Sequence, residues 1–264
     1  MAFVHVNFYS DTLKINTDIS LIIPTPGPDD GEKADRRGRK LFRTLTMLHG
    51  TFGDHTDWAR LTGIERLAQE YGIMVIMPSG ANGFYRDMKR GKRYFTYITE
   101  ELPSFVENIF PVLKGRENHY IGGLSMGGYG AVMAALKRPD IYGGALSFSG
   151  TLDLAAFREL CNQGIFPDPY FWDLIFDKNS DEADPAEVLT AARQLMGKGG
   201  MAPELYFTVG RQDPLYKSGL EVVREMKDMG FQVSFEEDDG AHEWDFWDRS
   251  LKGAFKWLDR VMKS

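Results

Sequence analysis

The residues of this chain with the types and spacing for chemistry are a serine framed by glycines, then an aspartate and a histidine further along. Gly123-Leu124-Ser125-Met126-Gly127 fits the pattern G-x-S-x-G. In a chain with 28 glycines the pentapeptide alone is weak evidence, and its flanks carry the argument. The apolar run His119–Leu124 leads into it and residues 129–136 follow with helical spacing. That is the strand, sharp turn and helix that lift a nucleophilic serine above the end of a sheet. The turn strains the serine backbone, and glycine on either side lets strand and helix approach closely.

A serine hydroxyl is a weak nucleophile at neutral pH, so it needs a base within hydrogen-bond reach and an acid to orient that base. Five histidines are available: His5, His49, His55, His119 and His242. His5 and His119 fall inside strand-like runs and read as structural. His242 lies in Asp238-Asp239-Gly240-Ala241-His242-Glu243-Trp244, a loop before the closing helix from which a side chain can swing over the sheet. It is the candidate general base. The acid is expected one strand earlier, where residues 205–209 run into Gly210-Arg211-Gln212-Asp213-Pro214. Asp213 is the candidate; Asp238 and Asp239 are rivals, placed too near His242 on one loop to face its Nδ1.

An acyl-transfer site must also meet a developing oxyanion with fixed donors. One donor follows from the elbow, the Met126 N–H. The other is expected from Met47-Leu48-His49-Gly50-Thr51-Phe52-Gly53-Asp54, with Thr51 N–H the first choice and Phe52 N–H the second. His49 then reads as the residue that fixes this loop. The neighbouring Asp54 and His55 have no His-Glu-x-x-His or cysteine pairs beside them, so no metal is expected.

These positions require strand ends to hold them. Strand-like runs open the chain at residues 4–9, 19–23 and 44–48, with a solvated Pro-, Gly- and charge-rich connection over 26–40. After residue 50 strands alternate with helices. Strands are predicted at 73–77, His119–Leu124, Gly144–Phe148, 205–209 and 231–235, and helices at 96–110, 131–136, 215–229 and 246–262. The reading is α/β, a mostly parallel twisted sheet with helices on both faces, residues 1–264 forming one domain. Residues 152–201 break the alternation and carry Phe166, Tyr170, Phe171, Trp172 and Phe176. They read as a short cap-like insertion over the sheet's edge. Phe52, Trp58, Trp172 and Trp244 are candidates to line a substrate pocket, with Phe84 and Tyr85 as further rings able to stack on a substrate; for all of them ordinary packing is the alternative.

Composition excludes other classes. With 31 Lys+Arg against 38 Asp+Glu the formal net charge is −7, which makes nucleic acid and anionic membrane poor partners. The single cysteine, Cys161, allows no intrachain disulfide and no cysteine-rich zinc site. The first ten residues alternate like a strand without a basic leader or apolar stretch, so no signal peptide and a cytoplasmic location are expected. No apolar run approaches the roughly 20 residues of a membrane helix.

Several segments together resemble a known family. They are His49-Gly50 with Trp58 downstream, Gly83-Phe84-Tyr85-Arg86-Asp87, Arg93-Tyr94-Phe95-Thr96, Glu100-Glu101-Leu102-Pro103, the elbow through Gly128, and the loops of Asp213 and His242. Over nearly its whole length the chain resembles the esterase D-like α/β-hydrolases, most of all the bacterial tributyrin esterases, which are related to feruloyl and acetylxylan esterases. The order Ser125, Asp213, His242 is the order of that fold. The resemblance implies hydrolysis of short acyl esters without a cofactor, with Ser125, Asp213 and His242 as the triad and Thr51 and Met126 as oxyanion donors. It implies a small-molecule or oligosaccharide acyl ester as partner, and leaves open feruloyl or acetylxylan esters, acyl transfer, a non-catalytic binding module and self-association. S-formylglutathione hydrolases carry a cysteine shortly after the oxyanion-loop glycine, where this chain has Thr51-Phe52-Gly53, so a glutathione ester is not expected.

Overall fold

The computed structural model describes residues 1–25, 40–167, 175 and 187–263. Its strands are β1 (Ala2–Ser10), β2 (Ile15–Ile23), β3 (Arg43–Leu48), β4 (Ile73–Pro78), β5 (His119–Leu124), β6 (Gly144–Phe148), β7 (Glu204–Gly210) and β8 (Val233–Asp238). The principal helices among the described residues begin with α1 (Asp57–Leu61), α2 (Ile64–Tyr71) and α3 (Tyr94–Thr96), the last continuing through a π-helical turn (Tyr97–Glu101) into α4 (Leu102–Ile109). They continue with α5 (Met126–Lys137), α6 (Leu154–Asn162), α7 (Glu187–Gly197), α8 (Tyr216–Asp228) and α9 (Trp244–Lys263).

Side chains on a strand point alternately to its two faces, so a strand that is apolar throughout must be covered twice. In β4, Ile73, Val75 and Met77 join one core cluster while Met74 and Ile76 join the other. Helices α4, α5, α7 and α8 cover the Met74 and Ile76 face through residues such as Val106, Val132, Ala192 and Met226. Helices α2 and α9 cover the Ile73, Val75 and Met77 face through Leu67, Leu251, Phe255 and Leu258. The strand order is β1-β2-β4-β3-β5-β6-β7-β8, with β1–β2 and β2–β4 antiparallel and every later pair parallel.

That order creates the site. The chain steps from β3 outward to β4, then returns to the opposite side of β3 for β5. The loops after β3 and β5 therefore diverge, and a crevice opens at the carboxyl ends of these strands. The register aligns those ends: Leu48 pairs with Gly123, Leu124 with Phe148, Phe148 with Thr208, and Gly210 with Asp238. The loops holding Thr51, Ser125, Asp213 and His242 consequently leave one edge of the sheet.

Several elements depart from the sequence-based expectations. Helices α1 and α2 fill a stretch in which none was predicted; α2 buries Ile64, Leu67 and Ala68 and ends on Gly72 at φ +64°. Strand β8 opens at Val233 rather than at residue 231, because the Phe231 N–H donates to Met226 O at 3.1 Å, closing the end of α8. Of the connection 26–40 only Lys40 is described, with its ammonium over the Phe42 ring. Tyr170, Phe171, Trp172 and Phe176 of the cap-like insertion lie outside the described residues.

Two helices of that insertion are described, and they differ. Helix α6 opens with the Ala156 N–H donating to Asp153 Oδ1 at 2.9 Å, an ordinary N-cap. Helix α7 packs on α5 and α8, so it belongs to the helical layer and not to a cap over the sheet's edge. At its first turn Glu187 accepts from Tyr129 Oη at 2.5 Å and Lys137 Nζ at 2.9 Å, and pairs with Arg86. No helix among the described residues is long and apolar enough to cross a membrane.

Candidate active site

Ser125 joins β5 to α5 with φ 52° and ψ −118°. Such a conformation costs a non-glycine residue about 1–3 kcal/mol and persists only where its surroundings enforce it. They do so here: the Ser125 N–H donates to Phe148 O at 2.9 Å, while its carbonyl accepts from Tyr129 N and Thr151 N, each at 3.1 Å. The flanking glycines are needed for close approach. A Cβ on Gly123 would stand 2.5 Å from Gly127 C, and one on Gly127 would stand 2.5 Å from Leu48 O and 2.6 Å from His49 O. Helix α5 begins at Met126, so the Met126 N–H is one of the first-turn donors that no helical carbonyl reaches.

Asp213 and His242 meet across two stitched loops. Arg211 N donates to Asp238 O at 2.9 Å, Gln212 N to Gly240 O at 3.0 Å, and Gly240 N to Gln212 Oε1 at 2.6 Å. The Asp213 carboxylate accepts from Leu215 N at 2.9 Å through Oδ1 and faces His242 Nδ1 at 2.9 Å through Oδ2. A carboxylate only accepts, so Nδ1 holds the ring proton and Nε2 is left as an acceptor. The imidazole stands edge-on between Phe166 and Trp247, each with its ring centroid 5.0 Å away, and Trp247 is tied by its Nε1 to Ser149 Oγ at 3.1 Å. The rivals Asp238 and Asp239 face outward to Arg249 and Arg211.

The loop after β3 is fixed by His49. Gly80 N donates to His49 Nε2 at 2.9 Å, so Nδ1 carries the proton that goes to Gly50 O at 2.7 Å. Burial pushes the His49 pKa down from its ordinary 6.5, and burial does the same to His119. Each therefore binds fewer protons folded than unfolded once the pH falls below 6.5, and the stability they contribute is present above that value and lost below it. Urea midpoints are expected to drop between neutral and mildly acidic pH, with a shallower drop in His49→Asn. A midpoint constant over that range, or an equal slope in the variant, contradicts this assignment.

The same loop separates the two oxyanion candidates. The Phe52 N–H donates to Asn82 Oδ1 at 2.7 Å with Phe52 at φ 68°, so it is already engaged. Thr51 is then the remaining choice. The sequence reading passed over Asn82, whose only local signal is the Ala81-Asn82-Gly83 turn after β4.

Ser125, His242, Thr51, Phe52 and Trp244 all line one cavity of about 390 Å³. Trp58 does not. It is 1% exposed, donates from Nε1 to Leu48 O at 2.9 Å, and packs edge-on against Phe148 and Trp244, so it supports the wall from behind. Phe84 and Tyr85 are likewise buried in the core. Lining residues that the sequence reading did not single out for this pocket include Asp57, Leu61, Phe157, Phe166, Pro167 and Trp247. Helical spacing in α1 could have raised Asp57 and Leu61, whereas nothing local marks the others. Burial, reinforced by the Asp54 carboxylate, pushes the Asp57 carboxyl pKa upward.

A family model described as putative esterase matches residues 36–258. An acetyl esterase of Caldicellulosiruptor saccharolyticus is 34% identical over 265 residues, spanning 99% of this chain and 99% of that protein. Among solved structures, the substrate-bound fluorophosphonate-binding serine hydrolase FphF of Staphylococcus aureus matches with a TM-score of 0.84 at 29% identity, over 98% of each chain. The S-formylglutathione hydrolase FrmB of the same organism matches with a TM-score of 0.80 at 28% identity, again over 98% of each chain.

Proposed function

The chain belongs to the esterase family and is a serine carboxylesterase of the α/β-hydrolase fold, and from that premise we propose that Ser125, His242 and Asp213 carry its reaction on short acyl esters. His242 Nε2 takes the Ser125 proton as Oγ attacks the ester carbonyl, then returns it to the leaving alcohol. Asp213 holds the ring and stabilises the imidazolium. The amides of Thr51 and Met126 meet the oxyanion, and water clears the acyl-enzyme in the second half of the cycle. The observation that carries this reading is the cavity shared by the strained Ser125 and the Asp213-oriented His242.

The cavity lies toward the small end of the roughly 300–1,000 Å³ common for small-molecule sites, which favours acetyl and other short acyl groups. Its aromatic lining by Phe157, Phe166, Trp244 and Trp247 favours a second reading, a cinnamoyl or feruloyl ester. Turnover of 4-nitrophenyl acetate, butyrate and octanoate beside methyl ferulate decides between them. Preference for acetate and butyrate with little ferulate cleavage supports the first; ferulate cleavage comparable to acetate establishes the second.

Asp57 adds a charge criterion. Asp57 lines the same cavity as Ser125, so an anionic ester meets like charge nearby. Asp57→Asn is expected to raise kcat/KM for S-formylglutathione about fivefold relative to 4-nitrophenyl acetate, equivalent to about 1 kcal/mol of repulsion in a partly hydrated cavity. An unchanged ratio between the two esters removes Asp57 as a selectivity determinant.

A further inference from the structure

On the edge of the sheet remote in sequence from the elbow, β1 and β2 pair His5 with Ser20 and Asn7 with Asp18. Residues two apart on a strand share a face, so these four side chains project together from one side of the hairpin. His55, from the loop that follows β3, closes over them with its ring stacked on His5 at a centroid distance of 4.9 Å and an interplanar angle of 4°. We propose that His5, Asp18 and His55 form a binding site for a zinc-type divalent cation, which would clamp the edge hairpin to the loop carrying Thr51.

The donor set suits such an ion: two imidazoles and one carboxylate are the ligand types of zinc sites with three protein ligands and one open position. One donor atom from each residue lies within 4.8 Å of the other two. His5 Nε2 and Asp18 Oδ1 are 2.9 Å apart. Ligands about 2.1 Å from a tetrahedral ion stand roughly 3.4 Å from one another, so movements of about 1 Å together with a turn of one imidazole out of the stack complete the set.

The ligands are also oriented from behind, as outer partners do at metal sites. His55 Nδ1 is engaged by Ser20 Oγ at 2.7 Å, and Asn7 Nδ2 donates to Asp18 Oδ1 at 2.8 Å. A cation held by His55 Nε2 requires Nδ1 to donate to Ser20 Oγ, which the 2.7 Å contact permits. Access is open: the side chains of His5 and Asp18 are 54% and 38% exposed.

The test is calorimetric titration of the untagged, EDTA-treated chain with zinc chloride at neutral pH. One zinc per chain is expected, with a dissociation constant in the micromolar range and a raised melting temperature. His5→Ala and Asp18→Asn should each weaken binding by about tenfold or more, and His5 is exposed enough that its replacement does not threaten folding. His242→Ala should bind zinc as the parent does. Absence of saturable binding overturns the proposal. So does parental affinity in His5→Ala, or loss of binding in His242→Ala, which would place the ion on the Asp213–His242 pair.

Discussion

Ser125→Ala is expected to lower kcat for ester hydrolysis by about a millionfold, the scale on which loss of the nucleophile or its base acts in serine hydrolases. The residue left behind keeps the backbone conformation that Ser125 already holds at φ 52°, and a single hydroxyl facing a cavity contributes little to packing. The urea midpoint should therefore stay within the ±0.5 kcal/mol typical of substitutions outside the core. Asp213 and His242 remain paired in the variant, so substrate binding is retained while chemistry stops. Reaction with a fluorophosphonate should also vanish. Turnover or labelling near the parental level removes Ser125 as the nucleophile, whatever the variant's stability.

The second large effect is on folding. Gly127→Ala places a methyl group 2.5 Å from Leu48 O and 2.6 Å from His49 O. Both contacts are with backbone carbonyls at the end of β3, so no side-chain rotation relieves them. Overpacking of a core by a methylene costs about 1–3 kcal/mol, and rigid backbone neighbours push this substitution past that range, to more than about 3 kcal/mol. The expected result is a chain that unfolds at much lower urea or is recovered insoluble. Gly197→Ala is the control, because nothing lies within 4 Å of its added Cβ. That change should be neutral or stabilise by up to about 1 kcal/mol. Equal stabilities for the two variants would contradict the close approach of α5 to β3 on which the elbow depends.

These two cases mark where sequence reasoning reaches. The elbow is a local device: an apolar run, a glycine, a serine, a second glycine and a helix-forming stretch occupy consecutive positions, and sterics within about ten residues determine the turn. Strands β5 and β6 coincide with the predicted runs for a similar reason, since both faces of a central parallel strand are covered and every residue after His119 reads as apolar or small. The pairing of Asp213 with His242 is also legible, because successive strands of a parallel sheet deliver their following loops to one edge.

What the sequence alone determined is thus the class of fold, the turn that carries Ser125 and the strand ends from which the other groups emerge. Tertiary structure decided which side chains face the cavity. Trp58 and Trp244 are equally apolar and equally near a helix start, yet one backs the wall and the other lines it, because the position of α9 against α1 settles which ring is covered. The Phe52 amide was as good a donor as that of Thr51 until the turn after β4 brought Asn82 against it. His5, Asp18 and His55 carry no shared spacing, and they meet only because antiparallel register puts two of them on one face and the β3 loop folds over it. Local terms are fixed by a few neighbouring residues, whereas these contacts depend on register and packing across the whole sheet, which no short stretch of sequence encodes.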